Sequence, residues 1–417
     1  MPTPTGSHPG GVASSYLVDV SRPDPWVPGV PSRELMISIW YPAVDTRGPR
    51  APYLTPTESS YVLAGSRHSV APHALSTVRT HAFPDAPLAP GLRELPLVVL
   101  SPGFSRTRAT LTSIGEDLAS HGYVAVAIDH THETAATTFP DGRVAAFALG
   151  HGFVRDAEFW RTVKTGRARD VSFVLDQLFG SSPPWEGAEA LAPDRIGMAG
   201  HSVGGAATIA AMIADERIRA GCDVDGSTDP LIPDAGLDRP LLFLGRDGQY
   251  APGDGPAADT WARDWPLLTG WKRWLVVAGA QHPSFTDLGL LAEQFGLPLG
   301  ARTSGLRTTA ITRACLRAIF DEHVRGVRGT PFDRLLADFP EVRSCLPHDH
   351  PSRNTSAPGT TSGLGAASSP CTTDGPSTAS ESRIATEPSA AREAGSTSGG
   401  GWSRVSRAAP RARAPNP

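Results

Sequence analysis

Short apolar runs alternate with longer amphipathic stretches along most of this chain. The runs fall at Glu34–Trp40, Leu95–Leu100, Tyr123–Ile128, Arg195–Ala199, Ile218–Val224, Pro240–Leu244 and Trp271–Ala278. Several are nearly continuous in Val, Ile and Leu, as expected of strands covered on both faces. Between them, the spacing of apolar residues predicts helices over Thr107–His121, Trp160–Phe179, Val203–Ala214, Ala257–Leu268 and Leu306–Val324. Strand–helix alternation predicts an α/β fold with a mostly parallel central sheet and helices on both faces. Ligands bind such sheets at the carboxyl ends of the strands, so the residues just after each strand are where chemistry is expected.

The rhythm breaks at both ends. Residues 1–33 are Pro-rich and are expected to hug the surface. Beyond residue 350 the composition shifts: 49 of the last 67 residues are Ala, Gly, Ser, Thr or Pro, with Leu364, Ile384 and Val405 the only aliphatic side chains. Such a segment buries too little apolar area to offset the entropy of ordering it. The folded domain is therefore expected over residues 34–345, followed by a disordered, solvated tail over 351–417.

Composition removes several function classes. The 417 residues carry a net charge of −4, without the basic face that a nucleic-acid partner requires. Four cysteines and no CxxC pair argue against a disulfide scaffold or a zinc site. Cys222 reads as a buried, inert thiol, Cys315 and Cys345 could pair in an oxidising compartment, and Cys371 lies in the tail. Of the tryptophans, Trp160, Trp185, Trp261, Trp265, Trp271 and Trp274 are expected mostly in the core. No window approaches 18 consecutive apolar residues, so no transmembrane segment is expected. The first residues lack the basic and apolar regions of a signal peptide. A cytoplasmic location is expected for the chain as written, and export if a leader precedes it.

The chemistry concentrates after the fourth run, at Gly200-His201-Ser202-Val203-Gly204-Gly205. This G-x-S-x-G lies between a strand and a helix. A sharp turn there lifts the serine hydroxyl above the sheet and points the free N–H groups of the helix start at the same spot. A serine nucleophile needs a neutral imidazole to take its proton, and that imidazole needs an acid to orient it. The expected chain order is Ser, acid, His. His282 follows the last strong strand and is the only histidine between Ser202 and the final helix. His130 and His132 also follow a strand but precede Ser202, and no third ligand suggests that they hold a metal. Two acids are open: Asp225, at the exit of the fifth run with Asp223 two residues before it, and Asp247, at the exit of the sixth. For the oxyanion hole, the turn Ser101-Pro102-Gly103-Phe104 can offer the Phe104 amide, and the residue after the nucleophile offers the Val203 amide.

Four of these motifs, in this order, resemble the plasma-type platelet-activating-factor acetylhydrolases and related actinobacterial esterases and lipases of the α/β-hydrolase superfamily. They are Ser101-Pro-Gly-Phe-Ser, His121-Gly-Tyr-Val-Ala-Val-Ala-Ile-Asp-His, Gly200-His-Ser-Val-Gly-Gly with Asp225-Gly, and His282-Pro-Ser-Phe-Thr-Asp. The resemblance spans about residues 12–330. It implies Asp225 as the acid and Phe104 as the oxyanion donor. This chain departs from the acetylhydrolases in carrying Pro102 where they have His. Actinobacterial polyester hydrolases and cutinase-like lipases have a similar Pro-Gly turn but use the later-strand acid.

The resulting expectation is a serine ester hydrolase working through an acyl-enzyme, with no cofactor and no metal, on a short-acyl or lipid-like ester. A triacylglycerol lipase, a polyester hydrolase or an acyltransferase would use the same triad, and a non-catalytic binding protein on this fold is the reading from another class. Thr131–Arg155, long and weakly periodic, is expected to form a lid, a pocket wall or a surface excursion. The oligomeric state is open.

Overall fold

A computed structural model describes residues 1–347 except 45, 65–69, 151 and 330, and omits the side chains of 331 and 333. The described elements belong to one unit, Met1–Arg353; the other, Asn354–Pro417, lies outside the described residues, as do the expected tail and Cys371. In chain order the strands are β1 (Gly10–Asp19), β2 (Arg33–Pro42), β3 (Phe83–Pro84), β4 (Leu95–Ser101), β5 (Val124–Asp129), β6 (Ala136–Thr138), β7 (Val144–Ala146), β8 (Leu191–His201), β9 (Ile218–Val224), β10 (Leu241–Arg246), β11 (Lys272–Val277) and β12 (Val342–Ser344). The helices are α1 (Pro56–Leu63), α2 (Thr112–Ser120), α3 (Ala157–Leu178), α4 (Val203–Ala214), α5 (Asp247–Tyr250), α6 (Pro256–Asp264), α7 (Asp287–Gln294), α8 (Gly305–His323) and α9 (Pro331–Asp338).

Ten strands form one sheet in the order β12-β11-β10-β9-β8-β4-β5-β2-β1-β3, and β6 and β7 form a separate hairpin. The six strands from β11 through β5 run parallel. β2 is antiparallel to both β5 and β1, and β12 is antiparallel to β11. Alternate side chains of the parallel strands feed two cores. Leu97, Val99, Val126, Ile128, Phe243 and Val276 pack with α3, α4 and α6 on one face. Val98, Leu100, Ala125, Ala127, Leu244 and Val277 pack with α2 and α8 on the other. Burial on both faces is why these runs read as continuously apolar.

The N-terminal segment departs from expectation. Residues 10–19 are not a surface strap but a sheet strand, paired with β2 from Gly10↔Pro42 to Asp19↔Arg33. The folded domain therefore begins well before residue 34. β1 lies near the sheet's edge, where partial exposure admits Gly, Ser and Tyr, so its strand period is hidden among polar residues. The helix expected from Thr107 instead begins at Thr112, after a 3₁₀ turn at Arg108–Leu111. There the Arg108 amide donates to Asp129 Oδ1 at 2.6 Å and its guanidinium pairs with the same carboxylate.

The chain runs from β4 to β5 on one side, then returns through α3 to β8 on the other side of β4. Strand order reverses between β4 and β8. The two turns leaving these strands therefore face each other across the crevice where such sheets bind ligands.

Candidate active site

Ser202 joins β8 to α4 with φ 59° and ψ −126°, a left-handed conformation unusual for a residue with a side chain. Its amide donates to Val224 O at 2.8 Å, tying the turn to β9. Close approach explains two of the neighbouring glycines. A Cβ on Gly200 would lie 2.2 Å from Gly204 O, and one on Gly204 would lie 2.1 Å from Ser101 O. The strand-to-helix turn can be this sharp, and this close to the turn after β4, only without those side chains.

His282 opens the turn after β11. Its Nε2 lies 3.0 Å from Ser202 Oγ, and its Nδ1 lies 2.5 Å from Asp225 Oδ2. The Asp225 carboxylate is fully buried, whereas the imidazole is 42% exposed, so the site opens to solvent at His282. Asp225 leaves β9 with φ 57°. Its Oδ1 accepts the Arg246 amide and its Oδ2 the Arg246 guanidinium, both at 2.8 Å. Tyr250 Oη donates to the Asp225 carbonyl at 3.0 Å, and Trp261 Nε1 to the Gly226 carbonyl at 2.7 Å. The loop that carries the acid is thus held from β10, α5 and α6.

Sequence pattern left Asp225 and Asp247 level; in the structure only Asp225 meets His282. Asp247 turns outward and pairs with Arg343 at 2.6 Å. The end of β10 sends a cation, Arg246, toward the site rather than an acid. Arg246 escaped the sequence reading because it adjoined the candidate Asp247 and carried no signal of its own. Asp223, on β9 beneath α4, is fully buried, and that burial pushes its carboxyl well above the usual range.

His201 was also missed. Its Nε2 donates to the His282 carbonyl at 2.8 Å, and the two rings pack with centroids 4.5 Å apart. Burial, together with the neighbouring His282, pushes the His201 imidazole well below its ordinary value, so it stays neutral. His201, Asp225 and His282 place nitrogen and oxygen atoms close enough to hold a metal ion. Both nitrogens of His282 and one of His201 are already engaged in the hydrogen bonds above. His130 and His132 do not form a pair. His130 is buried against Ser101 and Asp170, while His132 reaches the Ala146 carbonyl at 3.4 Å.

The turn after β4 stands against Ser202: a Cβ on Gly103 would lie 3.5 Å from that of Ser202. Val203 begins α4, where amides have no partner within the helix, and Phe104 follows Gly103 in the turn. The Phe104 ring begins an aromatic wall. It meets Phe147, Phe159 and Trp160 edge-on at 5.1–6.0 Å, and Phe153 and Trp26 extend the group through Phe159. Leu149, Val163 and Val203, the last adjoining Ser202, also belong to this apolar cluster. Within Thr131–Arg155, Phe147, Leu149 and Phe153 thus join this cluster, while Phe139 packs with Tyr16 and Met36 instead. Cys222 and Cys315 are buried thiols and Cys315 enters no disulfide. Among the described residues no helix is long and apolar enough to cross a membrane.

A serine on a strand–turn–helix elbow, a histidine after the last parallel strand and an acid between them, on this mixed and mostly parallel sheet, define the α/β-hydrolase class. Residues 35–146 match the family model described as platelet-activating factor acetylhydrolase, isoform II. A ferulic acid esterase from Streptomyces cinnamoneus superposes with a TM-score of 0.72 at 40% identity, over 82% of this chain and 98% of that one. A probable 1-alkyl-2-acetylglycerophosphocholine esterase of Arthroderma benhamiae is 29% identical over 218 residues, covering 49% of this chain and 51% of that protein. The platelet-activating factor acetylhydrolase of Cavia porcellus is 24% identical, over 51% of this chain and 52% of its own length. The chain thus spans about half the length of the curated relatives it matches. The chain belongs to the family of the Streptomyces ferulic acid esterase within the α/β-hydrolase class, and about half of it is similar to the platelet-activating-factor acetylhydrolases.

Proposed function

We propose that this protein hydrolyses carboxylic esters through an acyl-serine intermediate, with Ser202 as nucleophile, His282 as general base and acid, and Asp225 as the acid that orients the imidazole. The observation that carries the proposal is the continuous hydrogen-bonded chain from Ser202 Oγ through His282 to Asp225. In the first step Ser202 Oγ attacks the ester carbonyl and His282 Nε2 takes its proton. The Phe104 and Val203 amides face the oxyanion. As the carbonyl re-forms, the bond to the alcohol oxygen breaks and His282 returns the proton to the departing alkoxide. Water repeats the sequence on the acyl-serine, releasing the carboxylic acid and regenerating Ser202.

The aromatic wall beside the nucleophile supports an ester of an aromatic or other flat acid, in line with the Streptomyces relative named as a ferulic acid esterase. A second reading, a short-acyl ester of the platelet-activating-factor type, is supported by the family match over residues 35–146. Purified protein and its Ser202→Ala variant would be compared on methyl ferulate and on p-nitrophenyl esters from acetate to palmitate. The aromatic reading expects the highest kcat/KM on the ferulate, and the second reading a steep preference for acetate. Equal background rates with wild type and Ser202→Ala on every ester would overturn both.

A further inference from the structure

We propose that Arg167 is a positioning residue that sets the oxyanion turn, and that a sealed Ser101–His130–Asp170 chain beneath the turn locks it in place. The inference rests on the esterase reading above, because it assigns a role in stabilising the oxyanion.

The turn Ser101-Pro102-Gly103-Phe104-Ser105 has to aim one amide, that of Phe104, at a point above Ser202. Pro102 has no N–H, so its carbonyl is the only backbone hydrogen-bonding group it offers. Gly103 follows with two soft dihedrals and no side chain to limit them. A loop built this way swings freely unless something grips it. In the structure it is gripped on both sides of Phe104. The Arg167 guanidinium, from the middle of α3, donates through Nη1 to the Pro102 carbonyl and to Ser101 Oγ, the latter at 3.2 Å. On the far side, the Ser105 amide donates to the Glu133 carbonyl at 2.9 Å. Glu133 joins the two grips, since its Oε2 accepts Arg167 Nε at 2.7 Å and its Oε1 accepts Trp26 Nε1 at 2.9 Å.

The lock consists of the same three residue types as the catalytic set. His130 Nε2 lies 2.9 Å from Ser101 Oγ, and His130 Nδ1 lies 2.8 Å from Asp170 Oδ2. All three residues are fully buried, so no substrate reaches them. The donors run in one direction: Arg167 N–H to Ser101 Oγ, Ser101 O–H to His130 Nε2, and His130 Nδ1–H to the Asp170 carboxylate. That order requires a neutral imidazole and an ionised acid. Burial and the Arg167 charge lower the His130 pKa, keeping the ring neutral. Burial alone would raise Asp170, but the Arg33 charge and the hydrogen bonds from His130 and Arg33 outweigh it and hold the carboxyl well below its ordinary range. Arg33 in turn is anchored by Asp24 at 2.8 Å and by the Thr131 carbonyl at 2.7 Å. Every link from Arg167 Nη1 through Ser101 and His130 to Asp170 is hydrogen-bonded, with Arg167 Nη2 the one atom of this chain left without a partner among the described residues, and the Pro102 carbonyl is held by the same guanidinium nitrogen.

The test uses full-length protein with two substitutions, Arg167→Gln and Ser101→Ala. The first removes the charged grip. The second deletes one hydroxyl and leaves every ion pair in place, so it decides the matter if Arg167→Gln does not fold. Each is assayed for kcat and KM on a p-nitrophenyl ester, for inhibition by a trifluoromethyl ketone that forms a tetrahedral oxyanion on the serine, and for melting temperature. Removing an oxyanion donor lowers kcat by about 10²–10³-fold. A misaimed donor is expected to cost kcat roughly 10- to 100-fold in Arg167→Gln and several-fold in Ser101→Ala. KM should stay within about threefold, and ketone affinity should fall in step with kcat. Folded Ser101→Ala protein with wild-type kcat and ketone affinity would overturn the proposal, as would losses that track melting temperature alone. Wild-type protein that neither turns over ester nor reacts at Ser202 with a fluorophosphonate would instead overturn the esterase reading itself.

Discussion

Replacing Asp225 by Asn, beside a matched Asp247→Asn control, separates the two acids that sequence pattern left level. Asp225 accepts from His282 Nδ1, the Arg246 amide and the Arg246 guanidinium, and its carboxylate is fully buried. Asparagine has nearly the same shape but no charge, and its amide nitrogen cannot accept. An amide nitrogen in the place of Oδ2 loses the bonds from both His282 Nδ1 and the Arg246 guanidinium, and the imidazole is left to adopt the wrong tautomer. The corresponding change in the serine-protease triad that serves as the standard worked case lowers kcat by about 10⁴. That factor is about 5.5 kcal/mol of transition-state stabilisation. The same order, 10³–10⁴ in kcat/KM, is expected here, measured on p-nitrophenyl acetate at neutral pH. Folding should suffer by about 1–3 kcal/mol, because the buried ion pair with Arg246 is lost and its guanidinium meets at best a neutral amide. Asp247 pairs with Arg343 on the surface, both side chains more than a third exposed, and such pairs contribute about 0–1 kcal/mol. Its substitution should leave kcat/KM within about twofold. An active Asp225→Asn enzyme beside an inactive Asp247→Asn enzyme would refute the assignment.

Other consequences are open to measurement. Burial pushes Asp287, at the start of α7, up to about 7 from 3.8, while a hydrogen bond from the Ser113 amide at 3.2 Å partly opposes the shift. Its pKa is higher in the fold than in the unfolded chain, so the fold binds more protons between those values and loses stability as pH rises from about 4 to about 7. Asp287→Asn removes that loss. In urea melts it should gain roughly 3 to 4 kcal/mol over wild type at pH 8 and almost nothing at pH 4; an equal gain at both would show that the carboxyl is not perturbed in this way. Gly204→Ala would set a methyl 2.1 Å from the Ser101 carbonyl oxygen, where only backbone movement can make room. A stability loss of about 2–3 kcal/mol and at least a tenfold fall in kcat are expected. Gly166→Ala, in α3 with nothing within 4 Å of the added methyl, should be neutral or stabilising by about 0.5–1 kcal/mol. Equal effects of the two changes would remove the steric reason for Gly204.

What could be read directly from the chain follows from local rules. Parallel strands buried on both faces are continuously apolar, and each such run that the pattern singled out lies on a sheet strand. The G-x-S-x-G turn is equally legible, because the pattern is short and contiguous, although Gly204 answers to the Ser101 carbonyl far back along the chain. His282 stood out by elimination, as the only histidine in the stretch where one was needed. β1 and β12 did not stand out, since edge positions tolerate polar residues and β12 is only three residues long.

The sequence by itself determined seven of the ten strands in the sheet, the elbow with Ser202 and the position of His282, because each depends on residue type over a short span. Only the tertiary structure set Asp225, which the family resemblance had favoured and residue pattern alone had not, against His282 with Asp247 turned away, brought Arg246 and His201 to the site, and joined Arg167, Glu133, Ser101, His130 and Asp170 beneath the turn after β4. Those contacts cross between residues 21 to 81 positions apart. They depend on the direction each strand end faces once the sheet has formed, and no pattern of residue spacing along the chain carries that direction.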